Sequence, residues 1–453
     1  LWIDPENTQH LLLGTDGGVY RSYDRGVTWS MFRNLPLAQF YRISHDFEEP
    51  YNVFGGLQDN GSWMTPNKIP GGGGIQNRDW SPTGWGDGFV VLRDRVNKEI
   101  MYFESQGGSA VRRHLNSGET KPIAPFEEEG ERKLRFNWNT PMAQSILNPK
   151  TLYIGSQYLH RSYDHGDTWT RLSPDLTTND SNKYNPVNSG GVTRDVTSAE
   201  NHCTIYSISE SPLDEQVIWV GTDDGNIQVT TNGGKQWANV ALNLPSFIQK
   251  NTWVSCVEAG HFDKGTVYVT LDNHTRGDHK TYLLRSTDFG KTWSQLKGDS
   301  LRGYAHVIRE DPVNRNMIFA GTEYGLFISI DAGTSWAQFK NDLPIVPVRD
   351  LAIHPKTNDL IIATHGRGVF IVDDITPMRT LAVKDLQSEL MFLPVRPSEQ
   401  SYAAGFQEFS GTDEFTGTNP TEGARFAYFM KSRHMIGPMT IDILDPKIGR
   451  AHV

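Results

Sequence analysis

Short apolar runs, separated by turns rich in Gly, Asp and Asn, recur along most of the chain. They group into eight successive units, in which one apolar strand is followed by a second and then by a Gly-containing turn. The first strands of the units are predicted at residues 1–3, 41–43, 89–91, 144–146, 206–208, 256–258, 306–308 and 351–353. The second strands are predicted at residues 11–13, 53–54, 101–103, 152–154, 218–220, 267–269, 318–319 and 360–362. Four short strands to a unit, at this regular spacing, are typical of the blades of a β-propeller.

A turn motif marks five of the eight units. Ser22 to Trp29 reads S-x-D-x-G-x-T-W, and the motif returns at 162–169 and 286–293 and more loosely at 230–237 and 329–336. An Asp side chain accepts hydrogen bonds from N–H groups within such a turn, and Gly supplies a positive φ. We refer to these segments as box turns. We expect a structural role for the residues at their Asp position, which are Asp24, Asp164, Asn232, Asp288 and Asp331.

The repeat ends near residue 374, which divides the chain. Residues 1–374 are predicted to form an all-β propeller of about seven or eight four-stranded blades. Residues 375–395 are predicted as a linker with a short helix over 377–390, and residues 396–447 as the start of a β-sandwich-like domain with strands near 424–430 and 439–444. The eighth unit stops after Val372 without an outer strand, so either a strand from elsewhere completes it or the ring is one of two in tandem. Residues 448–453 match a translated sequencing adapter, and we therefore expect a fragment that is open at both ends and lacks an N-terminal part.

The amino-acid composition limits the classes of fold, partner and cofactor. Of the 453 residues, 37% are hydrophobic, and 43 are Gly and 12 are Trp, which favours many short strands and turns over packed helices. The net charge of −10 argues against nucleic acid as a partner, because phosphate binding needs clustered Lys and Arg. Cys203 and Cys256 are expected to be buried free thiols rather than a disulfide bridge. The sequence contains no apolar run long enough to span a membrane and no dinucleotide or phosphate-loop motif, so no cofactor is predicted.

The units resemble bacterial Asp-box (BNR repeat) proteins with sortilin-like or xyloglucanase-like propellers. The five box turns carry the resemblance, together with the turns at 14–18, 221–225 and 321–325 and the stretch 56–63. It covers about residues 1–374 and implies a secreted, periplasmic or cell-surface protein. Members of this group are often labelled as glycosyl hydrolases, but a label of this kind does not establish catalysis on a shared fold.

Propeller topology directs the search for a site to one face. The box turns join third and fourth strands, so the turns between second and third strands and the connections between units share the opposite face. Departures from the repeat gather there. They are the turn Gln58-Asp59-Asn60, the expanded turn 272–280, the turn containing His365 and Arg367, and long connections over 70–88, 122–140 and 173–204. The remaining candidates on these connections are Trp80, Trp85, Asp87, Arg135, Asn137, Trp138, Glu200 and His202, and another connection contributes Trp253.

These residue types suit an extended polar ligand. Trp rings stack on sugars, Asp and Asn bind hydroxyl groups, and Arg367 is suited to a peptide carboxylate. A propeller that binds polysaccharide or peptide is therefore the leading hypothesis. The alternatives are a glycoside hydrolase that uses two of Asp59, Asp87, Glu200 and Asp278, and a purely structural or assembly module. No metal is predicted, although His274 and His279 flank Asp278, and neither the ligand nor the oligomeric state can be read from the sequence.

Overall fold

The computed structural model describes residues 1–70, 73–184, 201–398, 411–445 and 449–450. Antiparallel sheets follow one another in sequence order along residues 1–372. The first four sheets contain Trp2–Ile3, Leu11–Thr15, Gly18–Ser22 and Ser30–Met31; Phe40–His45, Asn52–Leu57, Ser62–Pro66 and Ser81–Gly84; Gly88–Arg93, Ile100–Ser105, Ser109–His114 and Thr120–Pro122; and Met142–Gln144, Leu152–Gly155, Leu159–Ser162 and Thr170–Arg171.

The next four sheets continue the same pattern. They contain Ile205–Ser211, Asp214–Thr222, Ile227–Thr230 and Ala238–Asn239; Trp253–Ala259, Val267–Asn273, Asp278–Ser286 and Ser294–Gln295; Ala305–Glu310, Ile318–Thr322, Gly325–Ser329 and Ala337–Gln338; and Val348–His354, Asp359–Thr364 and Val369–Val372. The eighth sheet has three strands, and the other seven have four. The prediction of an all-β fold built from four-stranded units is confirmed.

The helical segments are short. They are Asn77–Asp79, Gln106–Gly108, Ser181–Tyr184, Ala241–Asn243, His274–Arg276, Thr376–Arg379 and Val383–Gln387. None of the helices in the described part of the chain has the length and apolar character needed to cross a membrane.

Seven of the eight sheets form a closed ring. We call the first strand of each sheet its inner strand. From the second sheet to the eighth, each inner strand packs against the inner strand of the next sheet, and that of the eighth packs against that of the second. The first sheet has no comparable packing against this ring, and Trp2 and Ile3 on its first strand are 48% and 50% exposed. The eight sequence units therefore correspond to seven sheets in the ring and one sheet beside it.

The ring is closed by both apolar and polar contacts. Phe40, Val53 and Leu57 of the second sheet are buried against Ile361 and Ala363 of the eighth. In a second set of contacts, the Ile43 amide donates to Asp350 Oδ2 (3.1 Å), and the Tyr51 hydroxyl donates to Asp359 Oδ2 (3.0 Å). Apolar burial drives this closure, and the buried carboxylates satisfy groups that would otherwise lose their hydrogen bonds.

Four of the five box turns are held by the same set of side-chain hydrogen bonds. In the first, the Thr28 amide donates to Asp24 Oδ1 (2.8 Å), the Thr28 hydroxyl donates to Asp24 Oδ2 (2.6 Å), and the Gly26 amide donates to Ser22 Oγ (2.8 Å). The turn needs positive φ at two successive residues, 57° at Arg25 and 87° at Gly26. The turns at Asp164, Asp288 and Asp331 repeat this arrangement.

The Trp at the end of a box turn links neighbouring sheets. The indole N–H of Trp169 donates to Ile123 O at 2.6 Å, and that of Trp293 donates to Val240 O at 3.2 Å; both acceptors belong to the preceding part of the ring. Trp29 instead donates to Gly26 O in its own turn (3.0 Å) and is 38% exposed. This difference agrees with the position of the first sheet outside the ring.

Beyond residue 374 the structure departs from the sequence prediction. Two short helical segments, Thr376–Arg379 and Val383–Gln387, replace the single helix predicted over 377–390. Leu390–Leu393, which the sequence placed in the linker, pairs with Ala427–Met430. Of the second predicted strand near 439–444, only Leu444–Asp445 forms a strand, and it pairs with Gly449–Arg450. The two cysteines are free and buried, as expected.

We expect Asp288→Ala to lower the thermal unfolding midpoint more than Asp288→Asn. The Thr292 hydroxyl and amide lower the pKa of Asp288 to about 2, so the stabilisation is present above about pH 3.8 and is lost as the pH falls toward 2. Asn232 already occupies the equivalent position in one turn, where its Oδ1 accepts the Gln236 amide (2.9 Å). Calorimetry of the two variants at pH 7 and pH 2.5 checks this. If the unfolding midpoints of the Ala variant and the parent differed by the same amount at both pH values, the prediction would be contradicted.

We expect Asp350→Ala to destabilise the ring by about 1–3 kcal/mol, because the Ile43 amide loses its carboxylate acceptor and the partly buried Arg309 guanidinium loses one of its two carboxylate partners. Asp350 Oδ1 accepts from Arg309 Nη2 at 2.8 Å, and Oδ2 accepts from the Ile43 amide. Urea unfolding measures the loss, with Asp299→Ala at an exposed position as the control. A midpoint equal to that of the control would show that closure does not depend on this carboxylate.

Candidate functional site

A recurring β-bulge inserts one extra residue near the start of several inner strands, at the end of the channel opposite the box turns. In the second sheet, Phe40 pairs with Leu57 and Arg42 pairs with Gly56, which leaves Tyr41 without a cross-strand partner. The same one-residue offset occurs in the fifth, sixth, seventh and eighth sheets. The five extra residues are Tyr41, Tyr206, Ser255, His306 and Arg349. A bulge re-aims a side chain and interrupts pairing, and bulges are frequent beside binding sites.

Tyr41 contacts the predicted turn Gln58-Asp59-Asn60. Its hydroxyl donates to Gln58 Oε1 at 2.6 Å, and its ring lies 4.5 Å from that of Phe89. Burial, and next the carboxylate of Asp87, raises the pKa of Tyr41 to about 12. The phenol is therefore protonated at neutral pH and acts as a hydrogen-bond donor.

Asp87 organises the second part of the mouth. Its Oδ1 accepts the Asp59 amide (2.8 Å), and its Oδ2 accepts the Trp138 indole N–H (2.9 Å). Asp59 has φ of 60°, which places its own carboxyl on the exposed side of the turn. Partial desolvation, followed by the Asp87 carboxylate, raises the pKa of Asp59. The structure thus brings together three residues predicted for the site.

Aromatic and cationic side chains continue the mouth toward the fifth and sixth sheets. The Arg42 guanidinium lies 5.0 Å from the centre of the Tyr206 ring, and Trp253 meets the same ring edge-on at 5.0 Å. Arg42 Nε also donates to Asn139 Oδ1 at 3.3 Å. Tyr206 and Trp253 are both partly exposed, so their rings remain accessible to a ligand.

The seventh and eighth sheets contribute a charged cluster. Arg349 Nη1 lies 3.3 Å from His306 Nδ1, and His306 Nε2 lies 3.1 Å from Glu323 Oε2. Burial, and next the charge of Arg349, lowers the pKa of His365 to about 4, so this side chain is neutral at pH 7. Within the described residues, Arg349 Nε and His365 Nδ1 are buried without a hydrogen-bond partner. These two nitrogens therefore have hydrogen-bonding capacity that the described residues leave unused.

Three predicted residues are engaged in contacts between different loops instead. Arg135 donates to Asp175 Oδ2 (3.0 Å), and Asn137 donates to Asp223 Oδ2 (3.1 Å). His202 is buried with its Nδ1 3.7 Å from the same Asp223 oxygen. Their polar groups order the long connections that support the mouth.

Other predicted residues lie away from the bulge residues. Trp80 packs at 6.1 Å from Phe40 in the core between the second and eighth sheets. Trp85 is 54% exposed, and Asn60 donates to the Asp16 carbonyl of the first sheet (3.1 Å). Arg367 is exposed at the tip of its turn.

The remaining carboxylates and histidines have local roles. Asp278 Oδ2 accepts the Tyr282 hydroxyl at 2.6 Å, within its own hairpin. His274 stacks on Tyr304 at 4.4 Å, and its Nδ1 lies 2.7 Å from Asp272 Oδ1. No group of three or more potential metal ligands occurs among the residues that the structure describes. Glu200 lies outside the described residues.

Tyr41, Tyr206, His306 and Arg349 were not singled out from the sequence. A signal for them nevertheless exists: the apolar residues that flank each bulge are spaced by three rather than by the two of regular strand alternation. The pairs are Phe40 and Ile43, Ile205 and Ile208, Val254 and Val257, Ala305 and Ile308, and Val348 and Leu351. A break of this kind at the start of an inner strand locates the mouth residue.

The ring, its turns and its mouth define a β-propeller with a polar and aromatic channel opening. The family model described as Sortilin-Vps10 (sortilin, neurotensin receptor 3) matches residues 281–380. A comparison with curated proteins gives no match.

Solved structures with a similar fold include YCF48 bound to D1 peptide, at 12% identity and a TM-score of 0.46, with 75% of this chain and 94% of that chain covered. Another is the GH74 xyloglucanase from Xanthomonas campestris, at 16% identity and a TM-score of 0.28, with 82% and 69% covered. A third is an ancestral GH74 enzyme, at 13% identity and a TM-score of 0.41, with 80% and 57% covered. At these identities the similarity concerns the fold alone.

We expect Asp87→Asn to lower the pKa of Asp59 toward its ordinary value, because the variant removes the carboxylate with the larger effect of the two that raise it. Asp16 is the weaker neighbour, so Asp16→Asn is the matched control and should lower the pKa of Asp59 less. A carbon-13 NMR titration of the Asp59 carboxyl compares the two variants. An unchanged pKa in Asp87→Asn would contradict the proposed coupling.

Proposed function

We propose that this propeller binds an extended polar ligand, a polysaccharide or a peptide, across the channel mouth opposite the box turns. The observation that carries the proposal is the set of bulge residues, which aims side chains of different sheets at one opening. Tyr41, His306 and Arg349 have no counterpart in the strand ladder that would require these residue types. Long loops and bulges on a rigid scaffold are common locations of ligand-binding residues.

Both ligand classes find suitable groups in the mouth. Trp138, Tyr206 and Trp253 offer partly exposed aromatic rings, and Asp87 fixes the orientation of the first of them. Such rings can stack on sugars or on peptide side chains. The Arg349 guanidinium can bind a carboxylate in a bidentate manner, so it takes the role that the sequence assigned to Arg367.

Glycoside hydrolysis is the second candidate function. It needs a carboxylic acid that stays protonated near a second, ionised carboxylate. Asp59, whose pKa is raised beside Asp87, is the residue that favours this alternative. Asp87 is less suited to direct chemistry, because both of its oxygens accept hydrogen bonds from the protein.

The tandem-ring organisation remains part of the proposal. The first sheet keeps a complete box turn and four paired strands, yet Leu1, Trp2, Ile3 and Met31 are exposed. In a propeller these faces are covered by a neighbouring blade, so we assign the first sheet to a second ring. A secreted or periplasmic location follows from the resemblance of the box turns and belongs to the same proposal.

Glycan and peptide arrays with Arg349→Gln and Tyr206→Ala test the function. We expect each variant to lose at least about tenfold in affinity for any ligand that the parent binds, since each removes a charged or aromatic contact at the mouth. Arg367→Gln, at an exposed turn tip, is the matched control and should bind as the parent does. Ligands bound equally by all four proteins would contradict the proposed site.

An assay for released reducing ends separates binding from hydrolysis. Turnover of a bound glycan that Asp59→Asn abolishes would favour the hydrolase. Retention of the glycan without turnover would favour a binding protein. Absence of binding to any array by the parent would count against both and leave the structural module.

A further inference from the structure

A second cavity lies at the other end of the channel, on the face of the box turns. Its volume is about 560 Å³, within the range of small-molecule sites. The ends of the inner strands of the second, third, fourth, sixth, seventh and eighth sheets form its wall, together with turns that follow them. The sequence predicts only a structural role for this face, because it carries the regular turns.

The carboxylates in the wall of this cavity all have partners. Each accepts a hydrogen bond from, or lies beside, a donor of the protein. The pairs are Asp46 with Asn52 Nδ2 (2.7 Å), Asp94 with the Tyr102 hydroxyl (2.6 Å), Glu258 with Arg309 Nη1 (3.3 Å), Glu310 with the Tyr268 hydroxyl (2.8 Å) and Glu48 with Lys98 Nζ (3.9 Å).

Two guanidinium groups in the same wall have no such partner. Arg93, at the end of the third sheet's inner strand, and Arg95, in the turn that follows, form no salt bridge with any described residue. The Nε atom of Arg93 is buried without a hydrogen-bond acceptor in the described part of the chain. Arg95 lies 5.6 Å from the centre of the Phe47 ring, which orients its guanidinium beside the cavity.

The net charge of the chain makes the lack of a salt bridge at these two arginines unusual. The chain carries a net charge of −10, so carboxylates are the more abundant partners available to a cation. Burial lowers the pKa of the neighbouring His45 to about 4, and this imidazole is therefore neutral at pH 7. The cavity thus combines two guanidinium groups that lack a salt bridge to the described residues with an aromatic ring and acids that are already satisfied.

We infer that this cavity binds a small molecule that carries an oxyanion, a carboxylate or a phosphate, between Arg93 and Arg95. The planar guanidinium matches both oxyanions in a bidentate manner. The cavity volume is large enough for a compound of monosaccharide size but too small to enclose a polymer chain. The ligand and the site differ from those of the proposed function, so each can hold without the other.

Isothermal titration with inorganic phosphate and with D-galacturonate tests the inference, and D-galactose serves as the uncharged control. We expect saturable binding of at least one anion, no binding of galactose, and weaker binding as NaCl is raised. Arg93→Gln and Arg95→Gln should each weaken it by about tenfold or more, as expected for the loss of a charged hydrogen bond. Arg95→Lys keeps the positive charge but loses the bidentate geometry of the guanidinium. Its anion affinity should lie between those of the parent and Arg95→Gln.

Two control variants show whether the anion binds in this cavity or at another part of the surface. Arg302→Gln removes an exposed cation elsewhere and should bind as the parent does. Arg349→Gln, at the opposite mouth, should also leave anion binding unchanged, which distinguishes this inference from the proposed function. Thermal unfolding verifies that each variant is folded.

The outcomes have defined meanings. Binding of phosphate alone, or of galacturonate alone, supports the site and identifies the oxyanion. Lack of saturable binding of both anions overturns it. Binding that neither Arg93→Gln nor Arg95→Gln weakens also overturns it, since the anion would then lie elsewhere on the protein.

Discussion

Lateral packing between neighbouring sheets is the constraint on which the whole molecule depends. A four-stranded sheet of this size buries too little apolar surface to be stable alone. Its two faces are shielded from solvent only when another sheet packs on each of them. The contact between the second and eighth sheets is decisive because it covers the last two open faces. The buried carboxylates of Asp350 and Asp359 make this contact directional, since each accepts a hydrogen bond from the second sheet. The first sheet, which lacks such a partner, shows what a unit looks like without it.

Much of the fold follows from the sequence because each unit carries its own local signals. Alternation of apolar residues, a Gly-containing turn and the box motif predict the strands and their order. Whether a sheet belongs to the ring does not follow in the same way, because it depends on which sheets pack together. The sequence pattern of the hairpin from Leu11 to Ser22 in the first sheet does not differ from that of hairpins within the ring. The strand at Leu390–Leu393 was missed for a related reason. Its partner, Ala427–Met430, lies beyond a long stretch of chain and leaves no mark on the local pattern.

The candidate site was predictable in part. The sequence selected the turn at Gln58 and Asp59 together with Asp87 and Trp138, since all depart from the repeat, and Asp87 does contact both Asp59 and Trp138. It also selected Arg135 and Asn137, whose buried hydrogen bonds cannot be distinguished by residue type from contacts with a ligand. The bulge residues escape prediction because they interrupt the strand period by which strands are recognised.

The bulges have a consequence for how such a molecule can change. Because the extra residue has no cross-strand partner, its side chain can be exchanged without a change in the strand register. The frame of the ring and the chemistry of its opening are therefore separable. Phenol, imidazole, hydroxyl and guanidinium already occupy equivalent places in this single chain. A duplicated blade would thus arrive with one position free to vary, and a new specificity could be assembled one blade at a time.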